Sequence, residues 1–189
     1  MGQNNRISGP GTSAAAATPA LDRKALENKL LNAGGPEPCC AELAKIFRVR
    51  PTEVALLRLE NGLLRFLFPG ELSTAGSIPI SSSSAVAAHT AVTKKVELFN
   101  NFTRVKHASI FESIKTYREG DEELRPATIH KLMSAPVLDK VDKVLGVVQI
   151  CHKGFDLDSA GPDFTLEDLQ ILELAAKALA QLGFMSESA

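Results

Sequence analysis

The dipeptide Asn61-Gly62 sets the strongest limit on how this chain folds. It joins two short apolar runs, residues 53–60 (EVALLRLE) and residues 63–68 (LLRFLF). A two-residue β-hairpin turn needs positive φ angles, and Asn and Gly tolerate them better than other residues. We therefore expect two antiparallel strands joined by a tight turn at this point.

A second hairpin is predicted nearer the C-terminus. KLMSAPVLD and KVLGVVQICHK are apolar runs rich in β-branched residues, and the charged residues 140–143 separate them. Runs that stay apolar, rather than alternating with polar residues, are typical of strands buried on both faces. We expect this pair to lie in the middle of a sheet.

Helical patterns lie before, between and after the hairpins. The first two cover residues 21–35 and the stretch between there and Pro51, and a third follows residues 81–84, whose serines we expect to cap it. The last begins with Thr165 as N-cap and ends at Gly183. Helices in this order around two hairpins predict an α+β domain, a central antiparallel sheet flanked by helices.

The composition fits one globular domain with extensions. The chain has 189 residues, 44% of them hydrophobic and 23% charged, with a net charge of −1. Residues 1–20 are mostly small, with few apolar residues larger than Ala, so we expect a disordered tail there. We expect it to be followed by the helix at 21–35, a domain over 37–183 and a short tail at 184–189. The balanced charge and the lack of an apolar run of about 20 residues argue against nucleic acid and membrane partners. We expect a cytoplasmic protein.

Three cysteines limit the chemistry that the chain can support. Cys39 and Cys40 are adjacent and Cys151 stands alone, a pattern that favours buried, reduced thiols over a disulfide framework. The histidines are scattered without the paired spacing of a zinc site. A Gly-rich phosphate loop, a nucleophile elbow and a Glu-rich metal helix are all missing from the sequence. We predict no catalytic residue, no metal and no enzymatic activity, and the cofactor is left open.

Residues 146–180 resemble the last strand and helix of the GAF domain family. Lys153, Phe164 and Asp168 match the Lys, Phe and Asp of that family's motif, while His152 replaces its Asn. The order of elements from about residue 37 agrees as well. The resemblance implies a GAF/profilin-like fold in which these three residues form a structural motif. Their positions alone also allow Lys153 to pair with Asp168 across the loop, which Phe164 would pack down. In cyclic-nucleotide-binding members such a pair holds the pocket closed.

The resemblance also implies a pocket between the sheet and the middle of the chain, for a cyclic nucleotide or another metabolite. Its polar lining would come from Ser83, Ser84, His89, Asn100, Asn101, Phe102 and His107. Two alternatives stay open at this point. Asn100-Asn101 could equally form a turn, and His89 could face solvent or satisfy a local hydrogen bond.

Other functions compete with a sensory role. Free methionine sulfoxide reductases are also single GAF-like domains, but they need a nucleophilic and a resolving Cys on pocket loops, whereas the cysteines here lie on a predicted helix and strand. Bilin attachment through Cys151-His152 would place the attachment site in the wrong element. A helix-turn-helix at residues 41–59 conflicts with the hairpin at Asn61-Gly62.

Leucines at both ends of the domain predict how the chain associates. Leu26 and Leu30, with Leu172, Leu179 and Leu182, form apolar stripes that favour a homodimer through a helical bundle. No output domain follows residue 183, so we expect a signal to pass to a separate partner protein. The sequence thus predicts a non-catalytic sensory or regulatory domain, with a ligand-free association module as the alternative.

Overall fold

The structure is a computed structural model that describes residues 22–104 and 128–186. The predicted tail at residues 1–20, the candidate ligand residue His107, and residues 187–189 lie outside the described residues. Four α-helices and six β-strands span most of the described part. The helices are α1 (Arg23–Leu31), α2 (Pro36–Phe47), α3 (Val86–Thr93) and α4 (Leu166–Leu179). The strands are β1 (Val54–Glu60), β2 (Leu63–Phe68), β3 (Ser77–Pro79), β4 (Glu97–Phe99), β5 (Thr128–Leu138) and β6 (Val144–Gly154).

The six strands form one antiparallel sheet in the order β3-β2-β1-β6-β5-β4. Strands β1 and β6 are therefore central, and the long β5–β6 hairpin forms one half of the sheet together with β4. The predicted α+β class and the inner position of the second hairpin are confirmed. Residues 54–60 form a strand, which excludes the helix-turn-helix alternative.

Both hairpin turns form as the sequence predicts. Asn61 and Gly62 have φ angles of 49° and 77°, the two positive values that a type I′ turn requires. In the second turn Asp142 has a φ of 59°, and the Asp139 carboxylate accepts the backbone N–H groups of Val141 and Lys143, each at 2.8 Å. The second turn is therefore closed by a side chain as well as by the backbone.

Two apolar layers cover the two faces of the sheet. Helices α1, α2 and α4 pack over one face, with Leu43, Ile150 and Leu172 fully buried among them. Helix α3 covers the other face, together with Ile78 of β3 and Phe102. Within residues 22–104 and 128–186 the domain is thus a three-layer structure, with three helices on one face of the sheet and α3 on the other.

The terminal leucines belong to the first of these layers, which corrects the basis of the predicted dimer. Leu26, Leu30, Leu172 and Leu179 are all buried within this one chain, because α1 packs directly against α4. Leu182 is half-buried against the same layer. Amphipathic spacing shows only that one face of a helix is covered, and here the cover comes from the same molecule.

Of the predicted boundaries of α3 and α4, one is correct and two are wrong, and α1 (Arg23–Leu31) is shorter than the predicted helix at 21–35. Thr165 caps α4, and its side chain and that of Asp168 form a reciprocal capping box. The serines at 81–84 do not cap α3, because the N-cap position falls on Ala85. Helix α4 ends at Leu179, not Gly183, because the N–H of Leu182 bonds to the carbonyl of Leu179 and tightens the last turn. No described helix combines the length and apolar character needed to cross a membrane.

Candidate functional site

Polar side chains gather at two places around the sheet. One group holds the β6–α4 loop (residues 155–165), and the other lies beneath α3. Each group brings together residues that are far apart in the sequence.

Glu53 lies just before the first residue of β1. Its side chain hydrogen-bonds the β6 backbone at Lys153, beyond the residues of β6 that pair with β1. Its carboxylate accepts the backbone N–H of Lys153 at 2.7 Å, the Arg50 guanidinium at 2.8 Å and the Arg50 N–H at 2.8 Å. Arg50 also donates to the carbonyl of Lys153 at 3.0 Å. Burial raises the pKa of Glu53, but hydrogen bonds from Arg50 and Lys153 outweigh this and the pKa is lowered. The two side chains thus replace a neighbouring strand at residue 153.

Lys131 connects β5 to the β6–α4 loop. Its ammonium donates to the Gly161 carbonyl at 2.6 Å and pairs with the Asp163 carboxylate at 2.8 Å, although only 5% of the residue is exposed. A buried lysine is stable only when such partners replace its water shell. The loop is therefore tied to the sheet by a largely buried cation.

Phe164 is the point where the loop meets both β4 and β6. Its ring stacks on the His152 imidazole, with centroids 4.3 Å apart and planes 10° from parallel. The Asn100 side chain donates to the Phe164 carbonyl and accepts its N–H, each at 2.9 Å. The Asn100 amide thus binds both backbone groups of Phe164, as a neighbouring strand would. Nothing in the sequence indicated this role for Asn100.

The family-motif residues occupy this region with different partners than expected. The Asp168 carboxylate accepts from the N–H and hydroxyl of Thr165 at 2.7 and 2.8 Å. Lys131 reaches the loop through an ion pair with Asp163. Lys153 is buried, and the Phe164 ring packs the loop onto His152, as the residues predicted.

The second group is a hydrogen-bonded chain between α3 and the sheet. Ser134 of β5 lies opposite Gln149 of β6, and the Gln149 amide donates to the Ser134 hydroxyl at 3.1 Å. The Ser134 oxygen is 2.8 Å from the Thr90 hydroxyl, which is 2.7 Å from the Glu97 carboxylate. The other carboxylate oxygen of Glu97 is 2.8 Å from Nδ1 of His89.

The carboxylate at one end fixes the direction of this chain. An ionised carboxylate only accepts, so the Thr90 hydroxyl donates to Glu97. Ser134 must then donate to Thr90, and Gln149 donates to Ser134. We call Thr90, Glu97, Ser134 and Gln149 the α3 polar chain. Ser134 is 0% exposed and Gln149 4%, within an otherwise apolar layer.

The structure disperses the predicted ligand residues over several environments. Ser83 and Ser84 are exposed before α3, with Ser84 bonded to Ser82, and His89 joins the end of the α3 polar chain. Asn101 accepts from Thr103 in a local turn, and Phe102 is buried against Phe99. His107 lies outside the described residues. Ligand contact by this set stays a prediction.

Sequence reasoning missed Ser134 and Gln149, although a signal for them existed. Each is a lone polar residue within a strand that is otherwise apolar, and both strands had been recognised as buried on both faces. A buried polar side chain needs a partner, so an isolated one in a central strand predicts a network or a ligand. Thr90 gave no such signal, because its helix contains other polar residues.

The three cysteines are all buried, and none of them is in a disulfide. Cys39 and Cys40 lie in the layer beneath α1 and α4, whereas Cys151 belongs to the α3 layer. Burial raises the pKa of Cys39 and of Cys40, so these thiols are held protonated. Within residues 22–104 and 128–186, no three His, Cys, Asp or Glu side chains are grouped so as to hold a metal ion.

Solved structures of several proteins share this fold. The GAF domain from a phosphoenolpyruvate-protein phosphotransferase of Coxiella burnetii has a TM-score of 0.58 at 11% identity, covering 86% of this chain and 93% of that one. The corresponding GAF domain from Acinetobacter has a TM-score of 0.54 at 16% identity, covering 82% of this chain and 80% of that one. A type II free methionine-R-sulfoxide reductase from Thermoplasma acidophilum also has a TM-score of 0.54 at 16% identity, covering 84% and 92%.

At these identities the likeness to solved structures shows the fold alone. A comparison with curated proteins gave no match. The family model described as "GAF domain" matches residues 37–182, which is most of the chain and nearly the whole predicted domain. This chain therefore belongs to the GAF domain family.

Proposed function

We propose that this chain is a non-catalytic GAF domain that binds a small molecule between the sheet and α3. The GAF fold supports a sensory or regulatory role, and the resemblance implied a cyclic nucleotide or another metabolite as ligand. The observation that carries the proposal is the α3 polar chain. It is the one place beneath α3 where hydrogen-bonding side chains of the described residues converge within an apolar layer.

The polar chain is difficult to explain by stability alone. Burying hydroxyl and amide groups gains little over packing apolar groups of the same shape, even when every hydrogen bond is made. Helix α3 already packs on the sheet through Val86, Ala88 and Ala91. Ligand pockets, in contrast, combine apolar walls with a few fixed polar groups. Gln149 and Ser134 would supply those groups from two adjacent strands.

The burial of the thiols supports a non-catalytic role. A reductase needs an accessible thiolate and a second thiol that can reach it. Here Cys39 and Cys40 are held protonated by burial, and the sheet separates their layer from that of Cys151. Adjacent residues on a helix, such as Cys39 and Cys40, point in different directions and are poorly placed to form a disulfide.

A melting screen against cyclic nucleotides, amino acids and haem tests ligand binding. A ligand present at about 100 times its Kd stabilises the folded state by about 2.7 kcal/mol. For a domain of this size that raises the Tm by roughly 5–10 °C. We expect at least one compound to do so with the wild-type chain.

Two Gln variants make the screen specific for the α3 polar chain. Gln149→Leu removes the buried amide and should abolish the upshift, whereas Gln181→Leu changes an exposed amide on the far side of the sheet and should preserve it. A flat result across the panel, or an upshift that survives Gln149→Leu, would contradict the proposed site. A flat result favours the association module.

Association, output and location are further parts of the proposal. The homodimer and a separate signalling partner stay predictions, and the dimer needs a surface other than the leucines that α1 and α4 bury between them. Light scattering that shows only monomer at high micromolar concentration would exclude the dimer. A cytoplasmic location also stays a prediction.

A further inference from the structure

His152 lies beneath the last part of the β6–α4 loop. The residue is 8% exposed, its ring is covered by Phe164, and the backbone of Gly161 passes so close that a Cβ there would sit 3.5 Å from Nδ1. Gly161 has a φ of +96°, so the loop turns sharply at that contact. The imidazole therefore forms part of the surface on which the loop rests.

The bonds that attach the loop to the rest of the domain fall on the same short stretch. Lys131 holds Gly161 and Asp163, and Asn100 holds both backbone groups of Phe164. Phe164 directly precedes Thr165, the N-cap of α4. A change beneath residues 161–164 would thus act on the loop and on the beginning of α4 together.

Charged groups from three elements act electrostatically on the ring. Glu53 and Arg50 come from the turn before β1, Lys131 comes from β5, and Asp168 comes from α4. Burial of the imidazole lowers its pKa most, Lys131 and Arg50 lower it further, and Glu53 and Asp168 oppose them without reversing the shift. The ring is therefore neutral at pH 7. Among the described residues, the carboxylates of Glu53 and Asp168 that act on the ring already accept other hydrogen bonds, so a proton on the buried ring is costly in the closed state.

We propose that the β6–α4 loop is an acid-sensitive latch: a proton from solvent binds the His152 imidazole, the charged ring leaves the space beneath Phe164 and Gly161, and residues 161–164 detach from the sheet. The step needs only the proton. A histidine that is harder to protonate in the closed state makes that state fully stable above the ordinary pKa of about 6.5. The closed state loses stability as the pH falls from there to the lower pKa of the closed form.

Amide hydrogen exchange between pH 7.5 and 5.0 tests the latch, with rates corrected for the intrinsic effect of pH. Protection of peptides covering residues 155–168 should fall by up to about tenfold for each unit below pH 6.5, because one unit of pKa difference is a tenfold change in the equilibrium. Peptides from the β1–β2 hairpin should keep their protection, since the bonds that hold residues 161–164 come from Lys131 and Asn100 and not from that hairpin.

Variants assign the effect to one ring. His152→Phe keeps a stacked aromatic without a titrating group and should abolish the fall, whereas His89→Gln removes an exposed imidazole and should leave it unchanged. His130 is the second buried imidazole near the loop, where its Nε2 donates to the Gly154 carbonyl at 3.2 Å. A fall that disappears in His130→Phe but survives in His152→Phe would overturn the proposal.

A measurement on the wild-type chain guards against a His152→Phe variant that fails to fold. The NMR titration midpoint of the His152 Cε1–H signal should lie below 6.5, at the pH where the fall in loop protection levels off. A midpoint at or above 6.5, or a loop that keeps its protection at pH 5.0, would also overturn the latch.

Discussion

The Glu53→Gln substitution tests how much the hydrogen bonds from Arg50 and Lys153 to the Glu53 carboxylate stabilise the domain. Glu53 is 4% exposed, and its two oxygens accept three hydrogen bonds from Arg50 and Lys153. Glutamine keeps the shape but replaces one oxygen with an NH₂ group, so at least one N–H donor must face another donor. The substitution therefore removes a bond without opening a cavity.

The expected loss follows from the number of bonds affected. One buried donor left without a partner costs about 1–3 kcal/mol, and the surviving bonds weaken from charged to neutral strength. Together these effects predict a decrease of about 2–4 kcal/mol in the free energy of unfolding at pH 7.5. Urea denaturation should show this as a lower midpoint with an unchanged slope.

Acid should reduce the difference between wild type and variant. The pKa of Glu53 is lowered in the folded state, so its contribution is complete above the unfolded value of about 4.3 and is lost as the pH falls through the folded value. Glu42→Gln serves as control, because it disrupts a surface pair with Lys45 and should leave the midpoint nearly unchanged. A loss below about 1 kcal/mol for Glu53→Gln, or one that grows below pH 4, would refute the reasoning.

Three further predictions concern the loop, the last helix and the thiols. Gly154→Ala should lower the free energy of unfolding, measured by urea denaturation, by about 1–3 kcal/mol, because a Cβ would lie 2.8 Å from the Ala160 backbone. Gly70→Ala is the control and should change little, because Gly70 has open space around it. Thr165→Ala should cost about 1 kcal/mol and lower the Tm by a few degrees, because it removes the N-cap of α4. Cys39 and Cys40 should react with a thiol reagent at the rate of unfolding in native buffer and rapidly in urea; fast native labelling would contradict their burial.

Features set by neighbouring residues could be predicted from the sequence. Asn61-Gly62 defines its hairpin through the φ angles that these two residues tolerate, and Thr165 with Asp168 defines the start of α4. These signals act over a few residues, so no knowledge of the rest of the chain is needed. Together with the second hairpin they were sufficient for the α+β class.

Features set by distant residues could not be predicted. Thr90 meets Ser134 across 44 positions and Asn100 meets Phe164 across 64, and no local pattern encodes either distance. The sequence likewise showed that Leu179 lies on an apolar face but not what covers it. Lys131 reaches the loop because the register of β5 and β6 places it opposite His152. The sequence does not show this register.

Incubation with free methionine sulfoxide tests most directly whether this domain is a sensor or an enzyme. Reduction of the sulfoxide to the thioether consumes two thiols and yields a disulfide and water. Free thiols are counted in urea after the incubation, and methionine is quantified in the same sample. The account predicts three free thiols per chain and no methionine, because Cys39, Cys40 and Cys151 are buried. One methionine formed for every two thiols lost would contradict it.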